Sequence, residues 1–188
     1  MNKAEDTKIL TLDDLHAQNA AGTLDPNLGY MYNGFSFIKQ QNLWYTQVQS
    51  RINNTVFDVP LHYGPRDLEE IPVVGSLDKT FISKDIYITF DPTSTDMQYI
   101  ALAAAELSLS LVKGIGVVPK AACASKETDA CSDRPIIDCN SGKPAIYVKQ
   151  SEANMVRLLG NCAIVQGDNE NIVKSADKFL LMQYGIMK

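Results

Sequence analysis

Hydrophobic and polar residues alternate between residues 34 and 61. Three stretches, 34–38, 43–49 and 55–61, are rich in aromatic and β-branched residues and are separated by short polar turns. Alternation with a period of two is typical of strands that bury one face, so this region predicts an antiparallel meander. Pro60 has no backbone N–H to donate, which places its strand at a sheet edge or at a bulge.

Two later stretches have helical periodicity instead. Residues 96–113 are apolar around most of the helix circumference, which predicts a central, heavily buried helix. Residues 168–185 are amphipathic, and we expect their apolar face to lie on a sheet. The opposite, solvent-facing side of this second helix is expected to carry three polar residues, namely Lys174, Asp177 and Lys178.

Short apolar runs predict further strands at 71–74, 86–90, 135–139, 145–149, 155–159 and 162–166. Strands outnumber helices and follow one another in runs. This favours an α+β fold, a two-layer sandwich in which two main helices pack on one face of a mostly antiparallel sheet. Residues 1–28 are polar and predict a tail or linker with one short helix at 13–21, so residues 29–188 are expected to form a single domain.

The composition narrows the classes of function. The chain has 188 residues, of which 45% are hydrophobic, as expected for one globular domain. Its net charge of −5 argues against nucleic acid and anionic membrane surfaces as partners. The longest apolar stretch, residues 99–112, is too short and too polar to cross a bilayer.

Four cysteines, all in the C-terminal part, permit three interpretations: two disulfides, a four-cysteine metal site, or free thiols. Structural zinc prefers closely spaced cysteine pairs, which this chain lacks, so the disulfides are favoured. Among the three possible pairings we favour Cys123–Cys131 and Cys139–Cys162. The first would close a polar loop, and the second would join two predicted strands.

Disulfides indicate an oxidising compartment, and export requires a signal that the polar first residues do not provide. We therefore expect the sequence to begin after a removed signal or anchor. The predicted location is extracellular or at the cell surface, with membrane attachment only through a missing N-terminal anchor. The sequon that begins at Asn53 is compatible with glycosylation at such a surface.

The sequence contains no motif for a serine-nucleophile elbow, a zinc protease or a phosphate-binding loop, and we expect no cofactor. Of the two histidines, His16 lies in the predicted tail and His62 at a strand end. Glu106 is the single charge between the two ends of the first main helix and is expected on a narrow polar stripe with Ser110 and Lys113, since charged residues rarely stay buried. A catalytic arrangement of Asp91, Glu106 and His62 is kept as an alternative.

Aromatic residues concentrate between residues 30 and 63. Neighbouring side chains in a strand face opposite ways, so the aromatic residues of this region cannot all enter one core. We predict an exposed aromatic patch that serves as a binding surface. Its candidate members are Tyr30, Tyr32, Trp44 and Tyr45.

Several stretches of the chain, including YITFDP, ACASKETDACSDRPIIDC and GNCAIVQGDNENIVKSADKFLLMQYGIM, resemble a recurrent archaeal family of uncharacterised exported or membrane-anchored proteins. The resemblance covers most of residues 30–188. In that family the domain follows an N-terminal hydrophobic segment, so the resemblance implies an archaeal surface or extracellular protein reduced to its soluble part. It implies no activity.

These observations predict a disulfide-stabilised domain that binds or assembles at the cell surface. The expected partner is a protein or another surface component, including a second copy of the chain. Two alternatives remain: a carboxylate-dependent hydrolase of an exported substrate, and a metal-binding module that uses the four cysteines.

Overall fold

Ten strands and three helices form the part of the chain that this computed structural model describes, residues 10–82 and 85–188. The helices are α1 (Leu12–Ala20), α2 (Met97–Ser110) and α3 (Asn171–Gln183), and α2 continues into a wider π-type turn, Leu111–Ile115. The strands are β1 (Gly29–Tyr32), β2 (Phe35–Gln40), β3 (Leu43–Gln49), β4 (Val56–Leu61), β5 (Val73–Leu77), β6 (Tyr87–Phe90), β7 (Lys120–Cys123), β8 (Ala145–Gln150), β9 (Met155–Gly160) and β10 (Cys162–Gly167).

The first sheet confirms the predicted meander. Its four strands are antiparallel in the order β1-β2-β3-β4, and Pro60 lies on the edge strand β4. Phe37, Thr46 and Val59 form one row across β2, β3 and β4, and all three are fully buried. The neighbouring positions, such as Ser36 and Asp58, therefore belong to the opposite, outer face of this sheet.

The second sheet has six strands in the order β5-β9-β10-β8-β6-β7. Only the β9–β10 pair is antiparallel, and the other four pairs are parallel. The predicted two-layer fold with a mostly antiparallel sheet is therefore wrong, and the chain has an α/β fold with two sheets. Strand direction is set by the connections between strands, such as the crossover through α2 from β6 to β7, and periodicity does not report it.

Helices α2 and α3 pack side by side and form the apolar layer that both sheets share. α2 contacts β4 of the first sheet and β6 and β8 of the second, and α3 contacts β8, β9 and β10. Residues of both sheets and both helices belong to one buried cluster, which includes Val59, Leu107, Val165 and Phe179. Burial of this cluster supplies the main stabilisation of the fold.

We call residues 120–143 the cysteine segment. It begins with β7, and the residues after β7 cover the opposite face of the second sheet. Ile137 packs there with Ile164 and Ala145 in a smaller buried cluster. The structure forms both disulfides in the favoured pairing, Cys123–Cys131 and Cys139–Cys162, and no cysteine is free. The second disulfide ties the cysteine segment to β10, which lies inside the sheet.

Three details of the sequence prediction need correction. Residues 135–139 do not form a strand of the sheet, since only Ile136 makes an isolated bridge, to Cys123, whereas β7 in the same segment was not predicted. The short helix expected within the N-terminal tail, α1, packs on β1 and β2 of the first sheet. The polar residues Asp177 and Lys178 of α3 are 0% and 4% exposed, so the predicted solvent-facing side of that helix is wrong at both positions.

Within residues 10–82 and 85–188, no helix has both the length and the apolar character that crossing a membrane would require.

Removing the Cys139–Cys162 disulfide by a double change to serine should lower the free energy of unfolding by roughly 3 kcal/mol, because this bond closes the longer loop. The double change at Cys123 and Cys131 should cost less, about 2.5 kcal/mol, because its loop spans only 8 positions. Denaturant titration of both variants checks the order. An equal or reversed loss would contradict the loop-length account.

Gly75 should be the most restrictive glycine of the second sheet. Its φ is +89°, and a Cβ atom there would lie 2.0 Å from the backbone oxygen of Leu158 on the paired strand β9. Gly75→Ala should therefore lower the free energy of unfolding by about 2 kcal/mol more than a matched control. The control is Gly142→Ala, which has a similar φ of +70° but no atom within 4 Å of the added Cβ. Equal losses in a denaturant titration would show that backbone strain alone explains the effect.

Candidate functional site

Two of the three residues in the predicted catalytic arrangement meet. Glu106 on α2 accepts or shares a hydrogen bond with His62 Nδ1, where the chain leaves β4. The Glu106 side chain is 10% exposed and that of His62 is 36% exposed. Glu106 therefore faces the interior of the protein, and its predicted position on a solvated stripe is wrong.

Asp177 on α3 is the third member of this group, which we call the acid cluster. Its side chain is fully buried, and its Oδ2 accepts a hydrogen bond of 2.8 Å from the backbone N–H of Tyr63. The remaining carboxyl oxygens, Glu106 Oε2 and Asp177 Oδ1, are buried and have no hydrogen-bond partner among the described residues, and the charge of Glu106 acts on Asp177. Two neighbouring buried carboxyl groups do not both ionise at low cost, so one of them keeps its proton at the junction of α2 and α3.

Burial is the main cause of the unusual titration of this pair. Desolvation raises the pKa of Glu106 to about 7, against the opposing effect of its contacts with Asp177 and His62. Desolvation and the nearby Glu106 carboxyl together hold the pKa of Asp177 well above its ordinary value. At least one of the two carboxyl groups therefore stays protonated at a pH at which exposed carboxyl groups are ionised.

Asp91 takes no part in the acid cluster. Its Oδ1 accepts hydrogen bonds from the backbone N–H and the hydroxyl of Thr93, in the turn that precedes α2. Glu106 lies nine positions beyond Met97, the first residue of α2, which corresponds to roughly 14 Å along the helix axis. The structure therefore joins His62 to Glu106 but does not bring Asp91 to them.

The spacing of residues in α3 indicates that Asp177 is buried, although its polar side chain suggests a solvent-facing position. Asp177 lies four positions after Val173 and three before Leu180, and both of these are buried. Residues at these spacings share one face of a helix, so Asp177 occupies an apolar face. Its partner on α2 could not be read from the sequence, because the two residues are 71 positions apart.

The acid cluster joins three elements by polar contacts inside the apolar layer. His62 and Tyr63 belong to the turn after β4, Glu106 to α2 and Asp177 to α3. None of the three cavities described by the structure is lined by these three residues. The geometry fits a structural connection between the first sheet and the helices that depends on bound protons.

A second polar group lies on the outer face of the first sheet, where α1 packs. His16 Nδ1 on α1 is 2.8 Å from Ser36 Oγ on β2. Asn19, one turn later on α1, donates from Nδ2 to the same hydroxyl oxygen and to the backbone oxygens of Tyr30 and Phe37. His16 and Asn19 are 5% and 7% exposed, so polar residues fix this short helix to the sheet.

The other ring nitrogen of His16 faces a carboxylate. Nε2 lies 3.4 Å from Asp58 Oδ1 on β4. Burial lowers the pKa of His16, and the charges of Asp58 and Asp13 only partly oppose this effect. His16 is therefore neutral at pH 7, with one ring nitrogen able to accept a proton.

These groups border an open cavity of about 410 Å³ between α1 and the first sheet. Its polar lining includes His16, Ser36, Asp13 and Gln47, and Gln47 donates a 2.7 Å hydrogen bond to Asp13. Its apolar lining comes from Ala17, Ala20 and Met31. The cavity therefore combines a hydroxyl, an imidazole and apolar surface at one place.

The four residues of the predicted aromatic patch do not share one face. The rings of Tyr30 and Trp44 meet edge to face with their centroids 5.0 Å apart, and both pack against the main core, as does Tyr32. Burial raises the pKa of Tyr30 to about 12, and the Arg66 guanidinium lies 3.8 Å above its ring. Tyr45 follows Trp44 in β3 and so points to the outer face. A binding role for these residues stays a prediction.

Asn53 lies in the turn between β3 and β4 and is exposed. Its Oδ1 accepts hydrogen bonds from the backbone N–H and the hydroxyl of Thr55, the third residue of the sequon. The position is reachable from solvent, and its glycosylation stays a prediction.

All four cysteine sulfurs are used in disulfides, which leaves no thiolates for the four-cysteine metal site that we kept as an alternative. Within the described ranges, no group of three or more His, Cys, Asp or Glu side chains is arranged to hold a metal ion.

No protein-family model, no curated protein and no solved structure matches this chain. The resemblance to an archaeal exported family stays a prediction.

The acid cluster should make the protein less stable as the pH rises. The pKa of Glu106 in the folded state, about 7, is above its ordinary value of 4.5, so the folded state binds the proton more tightly. The contribution is complete below about pH 4.5, and about 3 kcal/mol of it is lost as the pH rises to about 7. Glu106→Gln removes this titration and should flatten the decline, as measured by denaturant unfolding at several pH values.

The matched control is Glu152→Gln at an exposed position, which should keep the wild-type pH dependence. A decline that is equally steep in wild type and Glu106→Gln would show that the cluster does not hold the proton.

Proposed function

We propose that this chain is a disulfide-stabilised assembly module that pairs with a second copy of itself through α2, outside the reducing interior of the cell. The observation that carries the proposal is an uncovered apolar face on a helix that is otherwise buried. We call this face the α2 stripe. Its members are Ala101, Ala105, Leu109 and Val112, all of them exposed.

Ala101, Ala105 and Leu109 follow one another at spacings of four positions and so lie on one side of α2. Val112 comes three positions later, in the π-type turn that continues the helix. Leu109 is 39% exposed and Val112 is 40% exposed. An apolar helix face of this kind is unusual on the surface of a domain that acts alone, and such faces tend to mark interaction sites. Burial of Leu109 and Val112 would be the main gain on pairing.

The shape of the α2 stripe favours a second copy as the partner. Its first half carries the small residues Ala101 and Ala105, and its second half carries the larger Leu109 and Val112. When two copies pair antiparallel about a two-fold axis, the large half of each stripe meets the small half of the other. The same surface is then its own complement, with close approach of the two helices at the alanines.

Charge also favours self-pairing at this face. The chain carries a net charge of −5, so two copies repel each other at most orientations. No residue of the α2 stripe is charged, and the acidic residue of α2, Glu106, faces the interior. Contact through this face therefore brings two like-charged molecules together at an uncharged part of their surfaces.

A cavity beside the α2 stripe offers room for side chains of a partner. Its volume is about 230 Å³, and its lining combines small and apolar residues with two cations, namely Ile88, Phe90, Ala104, Ser108, Pro119, Ala121, Lys120 and Arg134. The small and apolar part suits an aliphatic side chain from a second copy, and the two cations suit an acidic side chain of the same acidic chain.

The proposed location rests on the two disulfides. Such bonds persist in oxidising compartments and are rare in the cytosol. An exported domain that assembles would also accord with the resemblance to exported archaeal proteins.

The oligomeric state tests this proposal. The wild-type chain should be a dimer by light scattering coupled to size-exclusion chromatography at about 100 µM, a concentration that detects micromolar pairing. Changing both Leu109→Glu and Val112→Glu should yield a monomer, because it would bury two charges of the same sign in each stripe. Both positions are exposed, so the thermal unfolding midpoint of the isolated chain should change little.

The matched control is Val56→Glu, at a residue that is 62% exposed on the outer face of β4. This variant should remain dimeric. A monomeric wild-type chain at this concentration, or a dimer that survives the double change, would contradict pairing through α2.

A further inference from the structure

We infer that Ser36 is an activated nucleophile, with His16 as its base and Asp58 as the group that orients the base, in the cavity between α1 and the first sheet. The chemistry that this arrangement supports is acyl transfer to the serine hydroxyl, followed by hydrolysis. The inference is independent of the proposed assembly, because the Ser36 site lies on the outer face of the first sheet and α2 packs on the inner side.

The hydrogen bonds around Ser36 determine where its proton points. Asn19 Nδ2 also donates to two backbone oxygens, those of Tyr30 and Phe37, so the nitrogen of this amide is the atom that faces Ser36 Oγ. The two N–H groups of this amide are shared among three oxygens, and Ser36 Oγ, 2.7 Å away, is one of the acceptors. Because His16 Nε2 faces the Asp58 carboxylate, the ring proton belongs on Nε2, and Nδ1 accepts the Ser36 hydroxyl proton across 2.8 Å. This is the direction of proton transfer that a nucleophilic serine needs.

On the other side of the His16 ring, Asp58 is placed to orient the imidazole. When Nδ1 accepts from Ser36, Nε2 carries the ring proton and points towards Asp58 Oδ1 at 3.4 Å. Neither of these two buried atoms has a hydrogen-bond partner among the residues that the structure describes. Catalytic hydrogen bonds of this kind are often long without substrate, and the carboxylate would stabilise the imidazolium as it forms.

The surroundings of the Ser36 site indicate the class of substrate. Ser36 and His16 both line the 410 Å³ cavity, and Ala17, Ala20 and Met31 provide apolar walls for an acyl group. Asp13 on α1 and Asp58 on β4 place negative charge beside His16, which disfavours anionic substrates. We therefore assign a short ester without negative charge as the substrate class.

The reaction balances with the groups present and water. Ser36 Oγ bonds to the ester carbonyl carbon while its proton moves to His16 Nδ1. The bond between that carbon and the alcohol oxygen then breaks, and His16 returns the proton to the leaving alcohol. Water attacks the acyl-serine and gives a proton to His16. Release of the carboxylic acid and return of the proton to Ser36 Oγ complete the cycle.

Covalent labelling tests the assignment. The full chain is treated with an alkyl fluorophosphonate, which reacts with activated serines, and the labelled residue is identified by intact mass and peptide mapping. One adduct at Ser36 is expected, and it should be absent in Ser36→Ala. Ser132→Ala is the matched control, because Ser132 is exposed and hydrogen-bonds only to the backbone oxygen of Asp129.

Two further readouts separate chemistry from the role of His16 in fixing α1 to the sheet. Asp58→Asn should slow labelling at least tenfold while circular dichroism and the unfolding midpoint stay close to wild type. In the wild-type chain the labelling rate should rise with pH and level off with a midpoint below 6.5, since burial lowers the pKa of His16.

Hydrolysis of p-nitrophenyl acetate gives an independent measure. The folded wild-type chain should hydrolyse this ester faster than a heat-unfolded sample does, and Ser36→Ala should lose this difference in rate. The inference is overturned if the fluorophosphonate does not label wild type, if the adduct maps elsewhere, or if the labelling rate is independent of pH between 5 and 8. These results do not depend on whether the chain is a monomer or a dimer, so the two proposals can fail separately.

Discussion

The fold depends on burying β10 on both of its faces. All six residues of this strand are buried, and it is an interior strand of the second sheet. Ala163 and Val165 face the helix layer, whereas Cys162 and Ile164 face the cysteine segment. The helix layer is a large apolar cover that stabilises itself by burial. The cysteine segment has few apolar side chains, and the Cys139–Cys162 disulfide holds it directly on β10.

The helix layer also explains where polar groups are buried and where apolar groups are exposed. α2 and α3 lie against each other and contact both sheets, so residues at their junction are excluded from water. Glu106 and Asp177 meet there, and their burial is possible because one of them keeps its proton while His62 and the Tyr63 backbone bond to them. The side of α2 that points away from α3 has no such cover, and this is where Leu109 and Val112 are exposed.

The first sheet shows how a short helix can change the chemistry of a surface. Its inner face is part of the main core, and its outer face would be an ordinary solvated face without α1. Packing of α1 places His16 beside Ser36 and creates the cavity next to them. The contact between α1 and the first sheet is largely polar. Hydrogen bonds from Asn19 to the β1 and β2 backbone therefore hold the helix in place. The position of α1 therefore controls the reactivity that we infer for Ser36.

Local patterns in the sequence determined the strands of the meander, the edge position of Pro60, the two main helices and the favoured pairing of the four cysteines. Each of these depends on periodicity, on the backbone chemistry of one residue, or on spacing along the chain. Only the tertiary structure decided the parallel direction of the second sheet, the burial of Asp177 opposite Glu106, and the meeting of His16 with Ser36 and Asp58. These features are contacts between elements that are distant in sequence, and their energy comes from packing that no local pattern encodes.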